Sequence, residues 1–257
     1  MMMAAKSGLP DPFIFVPSQG RPQLLFVLLH GEAGTPQQLF PLADAIKSAF
    51  PLAMVVLPYA FQNIPADSSA GALGSQGIAG YHWVDPLGLN EGSYAERVGR
   101  SLPRLIEQIS RLQTDYGLSG AQTALAGFSQ GATMALEASC AKPGIAGRVL
   151  AFSGLYVQPP SHVPSTTTLH FFHGANDQQV SVAEVESTLL RLAELQGDAT
   201  LDVASRIGHE LHQALIKQAI VRLQTCVPLR NWEDALQSLE RQAKEQGAKR
   251  RKGPTLH

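Results

Sequence analysis

Two uninterrupted apolar runs of strand length, Leu24 to Leu29 and Leu52 to Leu57, flank a segment of helical period, and this constrains the fold of the 257-residue chain more than any other feature. A strand that is apolar at every position needs cover on both faces. Parallel strands joined by helical crossovers supply that cover. Gly31 and Gly34 end the first run and Pro58 stops the second. Between them, Thr35 to Phe50 opens with a Thr-Pro start signal and lines up Leu39, Leu42, Ala43, Ile46 and Phe50 on one helical stripe. The alternation continues along the chain. Phe13 to Val16 reads as an edge strand. Glu91 to Tyr116 reads as a helix with a bend expected at Pro103, Gln122 to Ala126 as a strand and Ser129 to Cys140 as a helix. Strands follow at Arg148 to Phe152 and Leu169 to Phe172, then a helix at Val182 to Leu195, a strand at Thr200 to Ala204 and a helix at Glu210 to Gln224. The expected class is α/β, with a mostly parallel central sheet and helices on both faces. No repeat or linker splits the pattern, so one domain is expected over residues 10–228.

Composition excludes several functions. With 44% hydrophobic residues, 23 Gly and 17 Pro, the chain is of globular type. A formal net charge of −1 gives no global attraction to nucleic acid or to anionic lipid. The longest apolar run falls far short of a membrane span, and the first ten residues lack the apolar region of a secretory signal, so a cytoplasmic protein without stable membrane association is expected. Cys140 and Cys226 both sit in helix-like patterns, too few for a disulfide framework, and are expected reduced. Residues 229–257 read as an extension. Asn231 to Gly247 carries a weak helical stripe of Trp232, Leu236, Leu239 and Ala243, which offers a contact to the core or to a second copy in a homodimer. Its end, residues 241–252, is net +5 and reads as a mobile basic tail, with −6 left on the rest of the chain. From Ala66 to Ser93 the chain is glycine-rich without a period and is expected to be a long functional loop. It lacks the strand and helix context of a phosphate cradle.

The chemistry is concentrated in Ala124 to Gly131, ALAGFSQG, where a strand runs through Gly127-Phe128-Ser129-Gln130-Gly131 into a helix. This is a G-x-S-x-G pattern, which aims a serine out of a strained strand-to-helix turn and leaves a helix N-terminus beneath developing negative charge. A serine hydroxyl needs a base, and the base needs an orienting carboxylate. Asp177, in HGAND after one strand, lies 48 residues beyond Ser129, and His209, in IGH after the next strand, lies 32 further on. Each would occupy the loop after its own strand, at one edge of a parallel sheet. His30-Gly31-Glu32 follows the first core strand, so the backbone N–H of Glu32, with that of Gln130, would form an oxyanion hole. His30, His170 and His173 read as structural histidines rather than metal ligands.

HGEAG, GFSQG, HGANDQQV and the GHE turn together resemble the serine carboxylesterase, lysophospholipase and acyl-protein thioesterase family of α/β-hydrolases, over about Leu24 to Gln224. Within it the chain is most similar to small bacterial carboxylesterases. The resemblance implies an α/β-hydrolase fold, no cofactor, a small-molecule ester substrate, and Ser129, Asp177 and His209 as nucleophile, orienting acid and general base. It also implies that Trp83, in His82-Trp83-Val84-Asp85, forms a wall of the acyl pocket, and that Gln179 belongs to the same wall, more polar here than in the family. Two departures fall in the first glycine loop. Gly34 stands where Asp is common, which is expected to loosen the loop, and Glu32 replaces an apolar residue, which would weaken activity if its carboxylate pointed inward. The expected activity is hydrolysis of short- to medium-chain carboxylic esters. The alternatives are thioester or lysophospholipid hydrolysis, and a catalytically silent fold retained as a binding module.

Overall fold

The computed structural model describes residues 9–64 and 80–225. The chain enters through β1 (Phe13–Phe15) and β2 (Leu24–Leu29), and a short 3-10 turn, Pro36–Leu39, leads into α1 (Phe40–Ala49). β3 (Ala53–Leu57), β4 (Gln62–Ile64), β5 (Gly80–His82) and the long α2 (Glu91–Tyr116) follow. Then come β6 (Thr123–Phe128), α3 (Gln130–Ala141), β7 (Arg148–Phe152), β8 (Thr168–Gly174), α4 (Val182–Glu194), β9 (Ala199–Ala204) and α5 (Gln213–Thr225).

Seven strands form one sheet in the order β1-β3-β2-β6-β7-β8-β9. Only β1 is antiparallel to its neighbour, β3. The apolar runs are explained by strict alternation between two buried faces. Leu25, Val27 and Leu29 of β2 pack with Leu105 and Ile109 of α2, Met134 of α3 and Val185 of α4. Phe26 and Leu28 face the opposite way, towards Leu42 and Ile46 of α1 and Leu215 and Ile216 of α5. From β2 the chain moves to β3 on one side of the sheet, and from β6 it moves to β7 on the other. The divergence of β2 and β6 opens a crevice at their carboxyl ends, the usual place for a site in an open parallel sheet.

The structure corrects the expected elements in three places. The glycine-rich segment is not all loop: Gly80–His82 pairs antiparallel with Gln62–Ile64 as a separate hairpin. α2 is an unbroken helix through Pro103, which stands on its exposed face, where the carbonyl deprived of a donor can meet water. The last helix starts at Gln213, not Glu210, because the backbone first makes two tight turns, with Glu210 N–H donating to Gly208 O and His212 N–H donating to Glu210 O. His212 Nδ1 then accepts from Ala214 N–H at 3.1 Å and caps the helix. The expected extension at 229–257, with Cys226 before it and the stripe at Trp232, lies outside the described residues. Among those described, Cys140 is a free thiol, and no helix is long and apolar enough to cross a membrane.

Candidate active site

Ser129 is the single residue between β6 and α3. Its backbone, at φ 52° and ψ −120°, lies where a side chain is strained, and the surroundings hold it there. Its N–H donates to Phe152 O of β7 at 2.9 Å, and its carbonyl accepts from Ala132 and Thr133 N–H. Close approach explains the glycine that follows: a Cβ on Gly131 would lie 2.1 Å from Leu29 O and 2.5 Å from His30 O. α3 therefore passes directly against the end of β2. The Gln130 N–H stands in the first turn of α3, where no helical carbonyl is in register to accept it. The Gln130 side chain turns away, its Oε1 accepting from Trp83 N–H at 2.8 Å.

Asp177 and His209 come from the loops after β8 and β9. These loops are laced together by Asn176 N–H donating to Ile207 O and Ala175 N–H donating to Ala204 O. His209 Nδ1 lies 2.9 Å from Asp177 Oδ2 and 3.1 Å from Oδ1. A carboxylate only accepts, so Nδ1 carries the proton and Nε2 is left as the acceptor. Asp177 Oδ1 also accepts from Gln179 and Val180 N–H at 2.9 and 3.0 Å. Burial alone would raise this carboxyl, but those two amides and the His209 ring outweigh it and hold it below the ordinary carboxylate value. The His209 ring stacks at a tilt on Phe128, 5.0 Å between centroids, which sets it beside the Ser129 elbow. Among the described residues no hydrogen bond joins Ser129 Oγ to His209, and such contacts commonly tighten only around a substrate.

The third loop follows β2. Gly31 to Gly34 form a turn closed by Gly34 N–H donating to Gly31 O at 3.2 Å, with Ala33 at φ 51°. No acceptor for the Glu32 N–H occurs among the described residues. The expected looseness at Gly34 is not found. Gly34 O accepts from Tyr81 N–H of β5 at 3.0 Å, and a Cβ there would meet Gly31 O at 2.9 Å, so a side chain would not fit. Gly31 N–H donates to Gln38 Oε1 at 2.8 Å, and the buried His30 ring donates from Nδ1 to Gly31 O while Nε2 accepts from Ala60 N–H. Burial lowers the His30 pKa to about 4, which keeps that ring neutral.

Trp83 differs from its expected role. It is 0% exposed, so it presents no surface to a ligand, and its Nε1–H donates to His30 O at 2.8 Å. Its backbone N–H holds the Gln130 side chain, so the residue ties the start of the turn after β2 to the start of α3. Gln179 has an exposed side chain, while its backbone amide holds Asp177. The Glu32 carboxylate does not fold inward: it is 49% exposed, with Oε1 3.4 Å from His82 Nδ1. His30 and His173 are hydrogen-bonded as expected of structural histidines, whereas His170 is bonded only at Nδ1, to Thr200, and its buried Nε2 has no partner. No group of three side chains able to hold a metal occurs among the described residues.

Sequence reasoning missed two supports, Gly154 and Tyr94, and the contact of a third, His173, with Asp177. Gly154 lies under the elbow, where a Cβ would be 2.6 Å from Ser129 O. Tyr94 lies beside Gln130 and Thr133. His173 Nε2 donates to Val180 O at 2.7 Å and lies 3.4 Å from Asp177 Oδ2. Only His173 had a visible signal, its place four residues before Asp177.

Residues 11–227 match the phospholipase/carboxylesterase family. Esterase YpfH of Escherichia coli is 33% identical over 227 residues, covering 88% of this chain and 93% of that protein. Among solved structures, esterase PE8 superposes with a TM-score of 0.72 at 28% identity, over 85% of this chain and 98% of that one. The Bacillus cereus carboxylesterase does so with a TM-score of 0.66 at 18% identity, over 84% and 93%. Sheet order, elbow and sequence agree: the chain belongs to the phospholipase/carboxylesterase family of α/β-hydrolases.

Proposed function

We propose that the protein is a serine carboxylesterase acting on short- to medium-chain esters through an acyl-enzyme. The observation that carries this reading is the His209 ring, held by both oxygens of Asp177 beside the strained Ser129 elbow. His209 Nε2 takes the proton of Ser129 as Oγ attacks the acyl carbonyl. The N–H groups of Glu32 and Gln130 hold the oxyanion, a contribution of about 10²–10³ in kcat for each donor. His209 returns the proton to the departing alcohol, then takes one from the water that releases the acid. Asp177 holds the tautomer and stabilises the imidazolium. Trp83, through the His30 carbonyl and the Gln130 side chain, supports the two segments that carry these donors, and the exposed Gln179 side chain is assigned to the substrate-facing wall.

Labelling with a fluorophosphonate probe tests the reading, with the modified peptide mapped by mass spectrometry and Ser129→Ala as control. Modification at Ser129 alone supports it, and a folded sample that takes no label overturns it. A series of p-nitrophenyl esters then reads acyl length. A maximum at two to six carbons agrees with the proposal, and one beyond about ten turns it towards lysophospholipid or thioester hydrolysis.

A further inference from the structure

Glu32 offers two groups to the site by different routes. Its N–H is one of the two proposed oxyanion donors, while its carboxylate leaves the same turn towards solvent, 49% exposed. The neighbour that fixes its direction is His82 of β5, a buried ring whose Nδ1 lies 3.4 Å from Glu32 Oε1 and makes no hydrogen bond. That contact is to one carboxylate oxygen, and the side chain as a whole is about half exposed. Across the site stands Tyr94, on the first turn of α2. Burial, with the charges of Glu32 and Glu137 adding to it, pushes its phenol up to about 12, so the ring stays neutral. A cavity of about 460 Å³ opens next to it, lined by Leu89, Asn90, Tyr94, Ala95, Val157 and Gln158. Glu137 reaches the far wall of that cavity, its Oε1 accepting from Val157 N–H at 2.9 Å.

No lysine or arginine forms an ion pair with Glu32 or Glu137 among the described residues. Arg97 of α2 has its guanidinium spent on the carbonyls of Asp85, Leu87 and Gly88. An aromatic ring within the field of two carboxylates, next to a cavity lined by both apolar and polar side chains, is an arrangement that attracts an ammonium group and repels an anion.

We infer that Glu32 is a specificity-determining residue that, with Tyr94, selects esters carrying a positively charged ammonium group a few bonds from the scissile carbonyl. The inference rests on the esterase reading above and adds its substrate class. It is tested with two matched pairs that differ by one atom, nitrogen for carbon. In the alcohol part these are acetylcholine and 3,3-dimethylbutyl acetate. In the acyl part they are the p-nitrophenyl esters of 4-(trimethylammonio)butyrate and 5,5-dimethylhexanoate.

The quantity read is the ratio of kcat/KM, cationic over neutral, for the wild type and for Glu32→Gln. A ratio cancels any loss common to both esters, including one at the oxyanion turn. In at least one pair the wild type favours the cation, on the order of fivefold, and Glu32→Gln brings the ratio close to one. Raising the salt to 0.5 M lowers the wild-type ratio, because the carboxylate is exposed to screening. Ratios at or below one in both pairs, or ratios that Glu32→Gln does not change, overturn the inference and leave the esterase reading intact. Failure of the reading itself looks different: no turnover of any of the four esters, and no fluorophosphonate label on folded protein.

Discussion

Asp177 is held by two backbone amides and one imidazole, and all three donate to it and so favour the carboxylate form. Asp177→Asn keeps the shape but places an amide where His209 Nδ1–H must donate, so the ring adopts the wrong tautomer. The expected loss is about 10⁴ in kcat, with circular dichroism and Tm close to those of the wild type. Trp83 is tested by a split between parameters. Trp83→Phe leaves His30 O, at the start of the turn that carries Glu32, without its donor, while the main-chain N–H of residue 83 still donates to Gln130 Oε1. A residue that only shapes the oxyanion turn lowers kcat more than it raises KM, whereas a wall of the acyl pocket raises KM chiefly for longer acyl chains. At this scale the sequence was informative where chemistry demands a residue type. The elbow at Ser129 and the pairing of Asp177 with His209 were legible because a serine hydroxyl needs a base and the base needs an orienting carboxylate, a demand on residue type. Trp83, Tyr94 and Gly154 were not, since their roles depend on which backbone atom lies opposite, and no pattern along the chain records that.

The glycine at the start of α3 transmits a local requirement to a whole element. α3 is buried around nearly its entire circumference, from Gln130 to Ser139, and runs against the end of β2 at van der Waals distance. Gly131→Ala must push the helix off Leu29 and His30, which displaces Ser129 and the turn after β2 together. The expected result is a loss of about 1–3 kcal/mol in urea unfolding, with activity falling further than stability. Elements with long apolar patterns were legible in the sequence to within a residue or two, as at Arg148–Phe152 and Val182–Glu194. The hairpin of Gln62–Ile64 with Gly80–His82 was not, because these short strands, QNI and GYH, lack the apolar run that marks Phe13–Phe15 and pair beside the turn they support. The start of the last helix was missed for a related reason: residues 208–212 satisfy their own backbone in tight turns, and periodicity does not register such turns.

For the molecule as a whole, acid sensitivity follows from two buried histidines, one just after β2 and one within β8. Burial lowers both His30 and His170 to about 4, with Arg148 and Arg222 adding to the effect at His170. The unfolded chain binds these protons near pH 6.5, so between about pH 4 and 6.5 it holds more protons than the native state, and stability falls as the pH drops through that window. Each group contributes about 1.4 kcal/mol per pH unit there. Asp177 acts lower, since its depressed value keeps its stabilisation until the pH falls below the ordinary carboxylate range. Urea midpoints at pH 7 and pH 5 check this: His170→Gln should shrink the difference between the two by about 2 kcal/mol relative to the wild type. An unchanged difference would show that His170 titrates normally.

The turn after β2 also bears on how such a protein can change over generations. The donor that the mechanism assigns to Glu32 is a backbone group, held by Gly31, Gly34, Gln38 and Tyr81, while the side chain at that position hangs free of those restraints. Mutation can therefore rewrite what the mouth of the site selects without dismantling the device that drives the chemistry. Position 32 is a place where a new preference is one codon away, and a saturation library there should yield many folded, active proteins that differ mainly in the charge of the esters they favour.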